Sequence, residues 1–118
     1  MAELRFRVRF DAVQLGPGKA ELMEHIRDTG SISAAGRRMD MSYKRAWMLV
    51  EEMNAAFAVP LIASTRGGPG GGGASLTEAG AEVLRRYRAI ETAAEVAAAP
   101  HVAAIAALLA SGDIPKQK

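Results

Sequence analysis

The sequence predicts a mainly α-helical domain with a small β-sheet. Segments of helical periodicity occupy most of the chain, and the segments with β-strand patterns are short. The chain has 118 residues, of which 49% are hydrophobic and 24% are charged, a composition typical of one globular domain with a modest core. It contains no cysteine, which excludes disulfides, thiolate metal sites and cysteine nucleophiles.

The N-terminal segment from Leu4 to Phe10 predicts a half-buried strand. Its apolar residues alternate with arginines, and a strand places alternate side chains on opposite faces. We interpret the arginines as the solvent-facing side of this strand. They are Arg5, Arg7 and Arg9. A helix is expected next, over about residues 17–29, because Pro17 suits a first helical turn and Gly30 can end the last one.

Two further helices separated by a tight turn predict a helix-turn-helix. The first covers about residues 32–39 and the second about residues 43–57, and apolar residues recur in both at helical spacing. Ala35 is small enough for close packing of the pair, Asp40 tolerates the backbone angles of a tight turn, and Ser42 can cap the second helix. The second helix begins with short polar and basic residues, so its first turn can approach DNA with free N–H groups.

A glycine-rich loop between two short β-capable segments predicts a hairpin. The segments are Leu61–Thr65 and Gly73–Leu76, and six of the seven residues from Gly67 to Gly73 are glycine. The loop lacks the lysine of a Walker A sequence and leads into a strand, which argues against a nucleotide-binding loop. We interpret it as the tip of a wing, flexible when free, whose bare backbone can approach DNA phosphates or the minor groove.

The C-terminal part of the chain predicts a long helix that Thr77 caps and that Pro100 breaks or kinks. The order of elements is therefore that of a winged helix-turn-helix. We predict a DNA-binding domain over residues 1–99, which includes the long helix 77–99, and a short C-terminal helix and tail over residues 100–118. The expected buried face of the long helix consists of Val83, Leu84, Tyr87 and Ile90.

The predicted DNA-contacting residues lie on the helix-turn-helix and on the wing, where basic residues outnumber acidic ones. Lys44 and Arg45 are able to reach guanine edges or phosphates, whereas Ser42 and Tyr43 are expected to hold phosphates. Trp47 fits either the core or the border of the DNA-facing surface. The full set of candidates is Ser33, Arg37, Arg38, Ser42, Tyr43, Lys44, Arg45, Trp47, Arg66, Gly68, Gly70 and Gly71.

The stretches GSISAAGRRMDMSYKRAWMLVEEMN and TRGGPGGGGASLTEAG resemble the DNA-binding domain of ModE-type molybdate-responsive transcriptional regulators. The elements GSIS, SYKxAW, EMN and GGxGGGGAxLT match in order and spacing, over about residues 4–95. SISAAGRRMDMS and LTEAGAEVL are similar, more distantly, to LysR-type winged helices. The resemblance implies that the long helix, about Thr77–Ala99, is a dimerisation helix, to which Val102, Ile105 and Leu108 can contribute.

In full-length members of the ModE-type family, molybdate-binding Mop-type domains follow this domain. This chain ends at Lys118, so molybdate sensing is not expected from its own residues. The alternatives are a stand-alone regulator, a half that works with a separate ligand-binding partner protein, or part of a longer protein.

We expect a sequence-specific, dimeric transcription regulator that binds double-stranded DNA at a palindromic operator, in the cytoplasm and without cofactor or metal. The resemblance implies molybdenum-related target genes. One alternative is a protein-interaction module, since a net charge of +2 is modest for a DNA binder. Another is a non-specific architectural DNA-binding protein. No enzyme is expected, because no catalytic constellation is present and the two histidines are isolated. No association with a membrane is expected, since no apolar stretch approaches the roughly 20 residues of a membrane span.

Overall fold

The computed structural model describes residues 2–68 and 71–110. Its strands pair into two antiparallel two-stranded sheets, β1 with β2 and β3 with β4. The predicted class, mainly helical with a small wing, is confirmed. In chain order the elements are β1 (Val8–Arg9), β2 (Gln14–Leu15), α1 (Pro17–Thr29), α2 (Ile32–Arg38), α3 (Tyr43–Ala56), β3 (Ile62–Gly68), β4 (Gly71–Leu76) and α4 (Glu78–Ala106).

The hydrophobic core lies where α1, α2 and α3 pack together, and the wing and the start of α4 close it. Its largest fully buried side chains are Leu22, Met23, Ile26, Val50, Met53 and Leu61. On α1 and α3 these residues follow one face of each helix, as their periodicity predicts. The core therefore fixes the orientation of α3 relative to α1 and α2.

The contact between α2 and α3 is close because small residues line it. Ala35 is 0% exposed, and a Cβ added to Gly36 would lie 3.1 Å from the Cβ of Ala46. Asp40 adopts φ 56° in the turn, a left-handed conformation that aspartate tolerates better than most residues. The predicted roles of Ala35 and Asp40 are thereby confirmed.

The N-terminal strand is shorter than the Leu4–Phe10 segment predicted for it. Only Val8 and Arg9 have partners, because the chain reverses at once and pairs them with Leu15 and Gln14. The short strand β2 was not predicted, because it is defined only by its pairing with β1. The arginines are all exposed, as predicted, but Phe10 on the opposite side is 51% exposed as well, so the predicted alternation of exposure is incomplete.

The N-terminal arm, residues 2–15, is attached to α4. The hydroxyl of Tyr87 donates a hydrogen bond to the carbonyl oxygen of Phe6 at 2.8 Å. Burial of the Tyr87 ring, and next to it the carboxylate of Glu91, raise the pKa of this phenol above its ordinary value. The arm is thus an ordered part of the domain.

The β3–β4 hairpin, which we call the wing, is longer than predicted. The expected strands Leu61–Thr65 and Gly73–Leu76 are present, and pairing resumes beyond them between Gly68 and Gly71 after an irregularity that follows Thr65. The predicted glycine loop is therefore partly strand.

The long helix α4 runs from Glu78 to Ala106, so a break at Pro100, one of the two predicted alternatives, is wrong, and the other, a kink, stays a prediction. Proline leaves the carbonyl of Val96 without a helical partner, but that turn is exposed and water can bond to it. Alanine-rich sequence on both sides favours the helix. Residues 100–106 thus continue α4 and do not form a separate helix. Ile90, predicted to be buried, is 45% exposed because α4 has left the core at that point.

Candidate nucleic-acid interface

The first turn of α3 presents polar and basic side chains to solvent. The Ser42 hydroxyl caps the helix, as predicted, by accepting a hydrogen bond from the backbone N–H of Arg45 at 3.0 Å. Tyr43, Lys44 and Arg45 are all exposed. The first turn contains no acidic residue, so nothing there opposes the partial positive charge of the helix N-terminus. This arrangement suits a polyanion.

Trp47 fixes the position of Tyr43 one turn earlier. Its ring meets the tyrosine ring edge to face, with centroids 6.3 Å apart, and its Nε1–H donates a hydrogen bond to the tyrosine hydroxyl. Trp47 is half-buried and packs against the core. The core interpretation of Trp47 is therefore correct, and its contact with DNA stays a prediction.

The helix α2 carries its own set of predicted contacts. Ser31 caps it by accepting from the backbone N–H of Ala34 at 3.0 Å, which leaves Ser33 free for another role. The Ser33 hydroxyl accepts from Nη1 of Arg37 at 2.8 Å. Both Arg37 and the neighbouring Arg38 are exposed. Ser33 thus orients one of the two arginines.

Contacts at its base hold the wing to the helices. The Asn54 side chain bridges α3 to β3: its Oδ1 accepts from the N–H groups of Leu61 and Ile62 at 2.9 and 3.0 Å, and its Nδ2 donates to the Ile62 carbonyl at 3.0 Å. On the other strand, the N–H of Ala74 donates to the carbonyl of Gly30 at 2.9 Å. The wing is therefore fixed relative to both α1 and α3.

The start of α4 packs closely against the wing. Thr77 caps α4 by accepting from the N–H of Gly80 at 3.0 Å and donates to the carbonyl of Pro60 at 2.7 Å. A Cβ on Gly80 would lie 2.1 Å from the Leu61 carbonyl oxygen, so only glycine fits there.

Asn54 and Gly80 were not predicted as functional residues from the sequence. Asn54 follows the buried Met53 on α3, and a polar residue at the edge of an apolar helix face is a signal for a buried hydrogen bond. Gly80 lies inside a strongly helical stretch, where glycine indicates close approach of another element.

The predicted wing contacts lie on both strands. Arg66 and Gly68 belong to β3, and Gly71 begins β4. Gly70 lies outside the described residues.

Among the described residues, the basic side chains of α2 and α3 have no acidic partners. Within residues 2–68 and 71–110, the side chains of Arg37, Arg38, Lys44 and Arg45 form no ion pair. The cations that do pair with carboxylates are Arg5, Lys19, Arg27, Arg85, Arg86 and Arg88. One such bond, from Arg27 to Asp28, lowers the pKa of the Asp28 carboxyl. The four cations of α2 and α3 are therefore available to an external anion.

In the part of the chain that the structure describes, no group of three or more histidine, cysteine or acidic side chains is placed to hold a metal ion. No helix in that part combines the length and the apolar character needed to cross a membrane.

Comparison with protein families gives a match over most of these elements. The family described as bacterial regulatory helix-turn-helix protein, lysR family, matches residues 18–81, which is more than half of the chain. The match extends from α1 through the helix-turn-helix and the wing to the start of α4.

The chain is also similar to proteins with molybdenum-related names. It is 45% identical over 78 residues to the molybdenum-pterin-binding protein MopB of Rhodobacter capsulatus, covering 66% of this chain and 29% of that protein. It is 38% identical over 77 residues to the molybdenum transport protein ModE of Azotobacter vinelandii, covering 65% and 28%. Identity is 39% over 71 residues to the DNA-binding transcriptional dual regulator ModE of Escherichia coli K12, covering 60% and 27%. The predicted resemblance is confirmed, and the chain spans less than a third of the length of these relatives.

Among solved structures, a chain of the CbnR_DBD–DNA complex superposes with a TM-score of 0.57 at 23% identity, covering 75% of this chain and 95% of that one. This match confirms the winged helix-turn-helix fold.

Proposed function

The chain belongs to the lysR family of bacterial regulatory helix-turn-helix proteins, a DNA-binding regulatory family, and we propose that it recognises a specific DNA sequence through α3. In this proposal α3 enters the major groove and the wing lies on the flanking DNA. The observation that carries the proposal is the start of α3. Its polar side chains are exposed, its basic residues have no acidic partner within residues 2–68 and 71–110, and its first turn contains no acidic residue.

The roles follow from side-chain chemistry. Lys44 and Arg45 contact base edges or phosphates, Ser42 and Tyr43 contact phosphates, and Trp47 orients Tyr43. The remaining predicted residues hold the backbone on either side of the groove and carry no sequence information of their own. They are Ser33, Arg37, Arg38, Arg66, Gly68, Gly70 and Gly71.

We further propose a homodimer that binds a palindromic operator. The support is α4, which projects from the core. The extents of the molecule, α4 included, are 65 × 28 × 21 Å. At 100° per residue, Ile90 and Ile105 lie on the side of α4 that carries the buried Tyr87, where they are 45% and 63% exposed. A second copy would bury this stripe. Two copies of α3 would then contact half-sites about one helical turn apart, or a multiple of it.

The names of the relatives support target genes that are concerned with molybdenum. Because the chain spans less than a third of those proteins, molybdate binding is not assigned to its residues. A molybdate signal would reach this domain from a separate ligand-binding partner protein or from sequence outside the chain. The proposed site of action is the cytoplasm.

Selection of bound duplexes from a random pool tests the proposal. The intact chain is used at one fixed salt concentration, because phosphate contacts make the affinity steeply salt-dependent. An enriched palindrome with half-sites about one helical turn apart is the expected result. Weak binding without an enriched sequence would overturn sequence recognition and favour the architectural or protein-binding alternatives.

A further inference from the structure

An open groove runs beside the start of α3, between the N-terminal arm, the first turn of α1 and one side of α3. Its volume is ≈ 820 Å³. Arg45, to which the proposed function assigns DNA contact, forms part of its wall. Among the described residues, the charged side chains that line this groove are Arg7, Arg9, Asp11, Lys19, Arg45 and Glu52.

The groove has an excess of positive charge, to which the arm contributes one charge and the two helices together contribute one. Its four cations face two carboxylates, and one of these, Glu52, already pairs with Lys19 at 3.7 Å. In residues 2–68 and 71–110, neither Arg7 nor Arg9 forms an ion pair. The groove therefore carries an excess of two positive charges, which a polyanion passing the start of α3 would meet.

The two arm arginines are held in place by the fold. A Cβ on Gly16 would lie 3.1 Å from Cγ of Arg7, so the arginine stem lies directly over the residue that precedes α1. The bond from Tyr87 fixes the carbonyl of the preceding residue, Phe6. Arg9 is fixed by its pairing with Gln14. Arginines on an ordered backbone lose less entropy when they bind an anion than arginines on a free tail would lose.

We propose that Arg7 and Arg9 hold phosphates of the DNA strand that passes the start of α3, so that the N-terminal arm is a third DNA-contacting element beside α3 and the wing. This inference rests on the proposed function, because Arg45 joins the groove to the recognition helix. The groove is open, which suits a long polyanion better than a small enclosed ligand. Phosphate contacts of this kind add affinity and orientation without adding sequence preference.

The salt dependence of DNA binding tests the inference. Dissociation constants for a selected duplex and for a scrambled duplex are measured over a range of salt concentrations for the wild type and for Arg7→Gln/Arg9→Gln. Removing one phosphate-binding cation lowers the slope of log K against log salt by about 0.9. We expect the slope of the double variant to fall by close to twice that amount per protomer, and its binding to weaken on both duplexes alike. Arg7→Lys/Arg9→Lys keeps both charges and is expected to retain the slope.

Arg5→Gln is the matched control. Arg5 lies on the same arm and is exposed, but it pairs with Glu3 at 3.4 Å and does not line the groove. The salt slope of Arg5→Gln should stay at the wild-type value. It is compared with the single variants Arg7→Gln and Arg9→Gln, because each of the three removes one positive charge. Thermal unfolding of each variant confirms that it is folded.

Three outcomes would contradict the inference. An unchanged slope in Arg7→Gln/Arg9→Gln, with a wild type that still selects its sequence, overturns the arm contact and leaves the proposed function standing. An equal reduction of the slope in Arg5→Gln assigns the effect to net charge and also overturns it. A wild type that selects no sequence overturns the proposed function and this inference together.

Discussion

At the start of α3, one hydrogen bond between two aromatic side chains determines where a predicted phosphate contact lies. Tyr43 is 55% exposed, whereas Trp47 is anchored in the edge of the core. The indole N–H donates to the phenol oxygen, and the phenol keeps its own O–H as a donor. Trp47 therefore leaves Tyr43 both oriented and able to donate to a phosphate oxygen.

Replacing Trp47 with phenylalanine isolates this bond. Trp47→Phe keeps an aromatic ring against the core but removes the N–H that orients Tyr43. We therefore expect DNA binding to weaken by about 0.5–1.5 kcal/mol, the cost of immobilising one side chain on binding. Fluorescence anisotropy with a labelled operator measures the change in affinity. Tyr43→Phe is the partner variant, and the double variant should bind no worse than Tyr43→Phe alone. Fully additive effects would show that the two side chains act independently.

At the scale of elements, the position of the wing depends on backbone contacts more than on the wing's own sequence. Asn54 bonds to the start of β3 from α3, and Gly80 lets α4 approach the carbonyl of Leu61. Both contacts converge on the same short segment before the hairpin. Loss of either contact would change the angle between the wing and α3.

Gly80→Ala tests the approach of α4. Its Cβ would lie 2.1 Å from a backbone oxygen, so we expect the free energy of unfolding to fall by about 1–3 kcal/mol or more, as in other overpacked sites. Gly18→Ala is the control, because Gly18 is also helical and a Cβ there meets nothing within 4 Å. The control should be neutral or slightly stabilising, by up to about 1 kcal/mol. Urea unfolding measures both, and equal stabilities of the two variants would contradict the close approach of α4 to Leu61.

The elements differ in how far the sequence determines them. The helix-turn-helix could be predicted because its signals are local: Ser42 caps α3, Asp40 forms the turn and Gly30 ends α1. The conformation of the arm could not be predicted, because β2 exists only through its pairing with β1 and because Phe6 is held by a residue of α4, distant in the sequence. The continuation of α4 through Pro100 was missed because proline is usually a stop, and its cost is small on an exposed alanine-rich helix. Asn54 gives a sequence signal for a hydrogen bond, but its partners are backbone groups of Leu61 and Ile62, which the sequence does not identify.

At the scale of the whole molecule, an ion-pair network sets the direction in which α4 leaves the domain. The Arg88 guanidinium binds the Glu24 carboxylate of α1 through two bonds of 2.9 and 2.8 Å and reaches Glu91 at 2.6 Å. These carboxylates, Glu24 foremost, raise the pKa of Arg88. Bidentate arginine pairs are directional, so α4 is held at one angle to the three-helix core. In the proposed dimer, that angle would determine the distance between the two copies of α3.

Charges placed on the α4 stripe test the dimer. Ile90→Glu/Ile105→Glu puts two carboxylates on the side expected to meet a second copy, and both positions are exposed, so folding should be retained. We expect analytical ultracentrifugation to show a monomer. Val96→Glu is the control, since Val96 is 71% exposed but lies on the opposite side of α4 from Ile105. Equal effects of both changes, or a wild type that is monomeric at every concentration, would contradict the dimer.

Sequence recognition by α3 is tested by a pair of duplex selections, one with the wild type and one with Arg45→Ala, at the same salt concentration. If α3 recognises the sequence and Arg45 contacts a base, the variant should lose preference at one position of each half-site and bind the wild-type operator about 1–3 kcal/mol more weakly. The rest of the motif should persist, because the other contacts remain. An identical motif bound with unchanged affinity, in Arg45→Ala and likewise in Lys44→Ala, would contradict the assignment of α3 as the recognition helix.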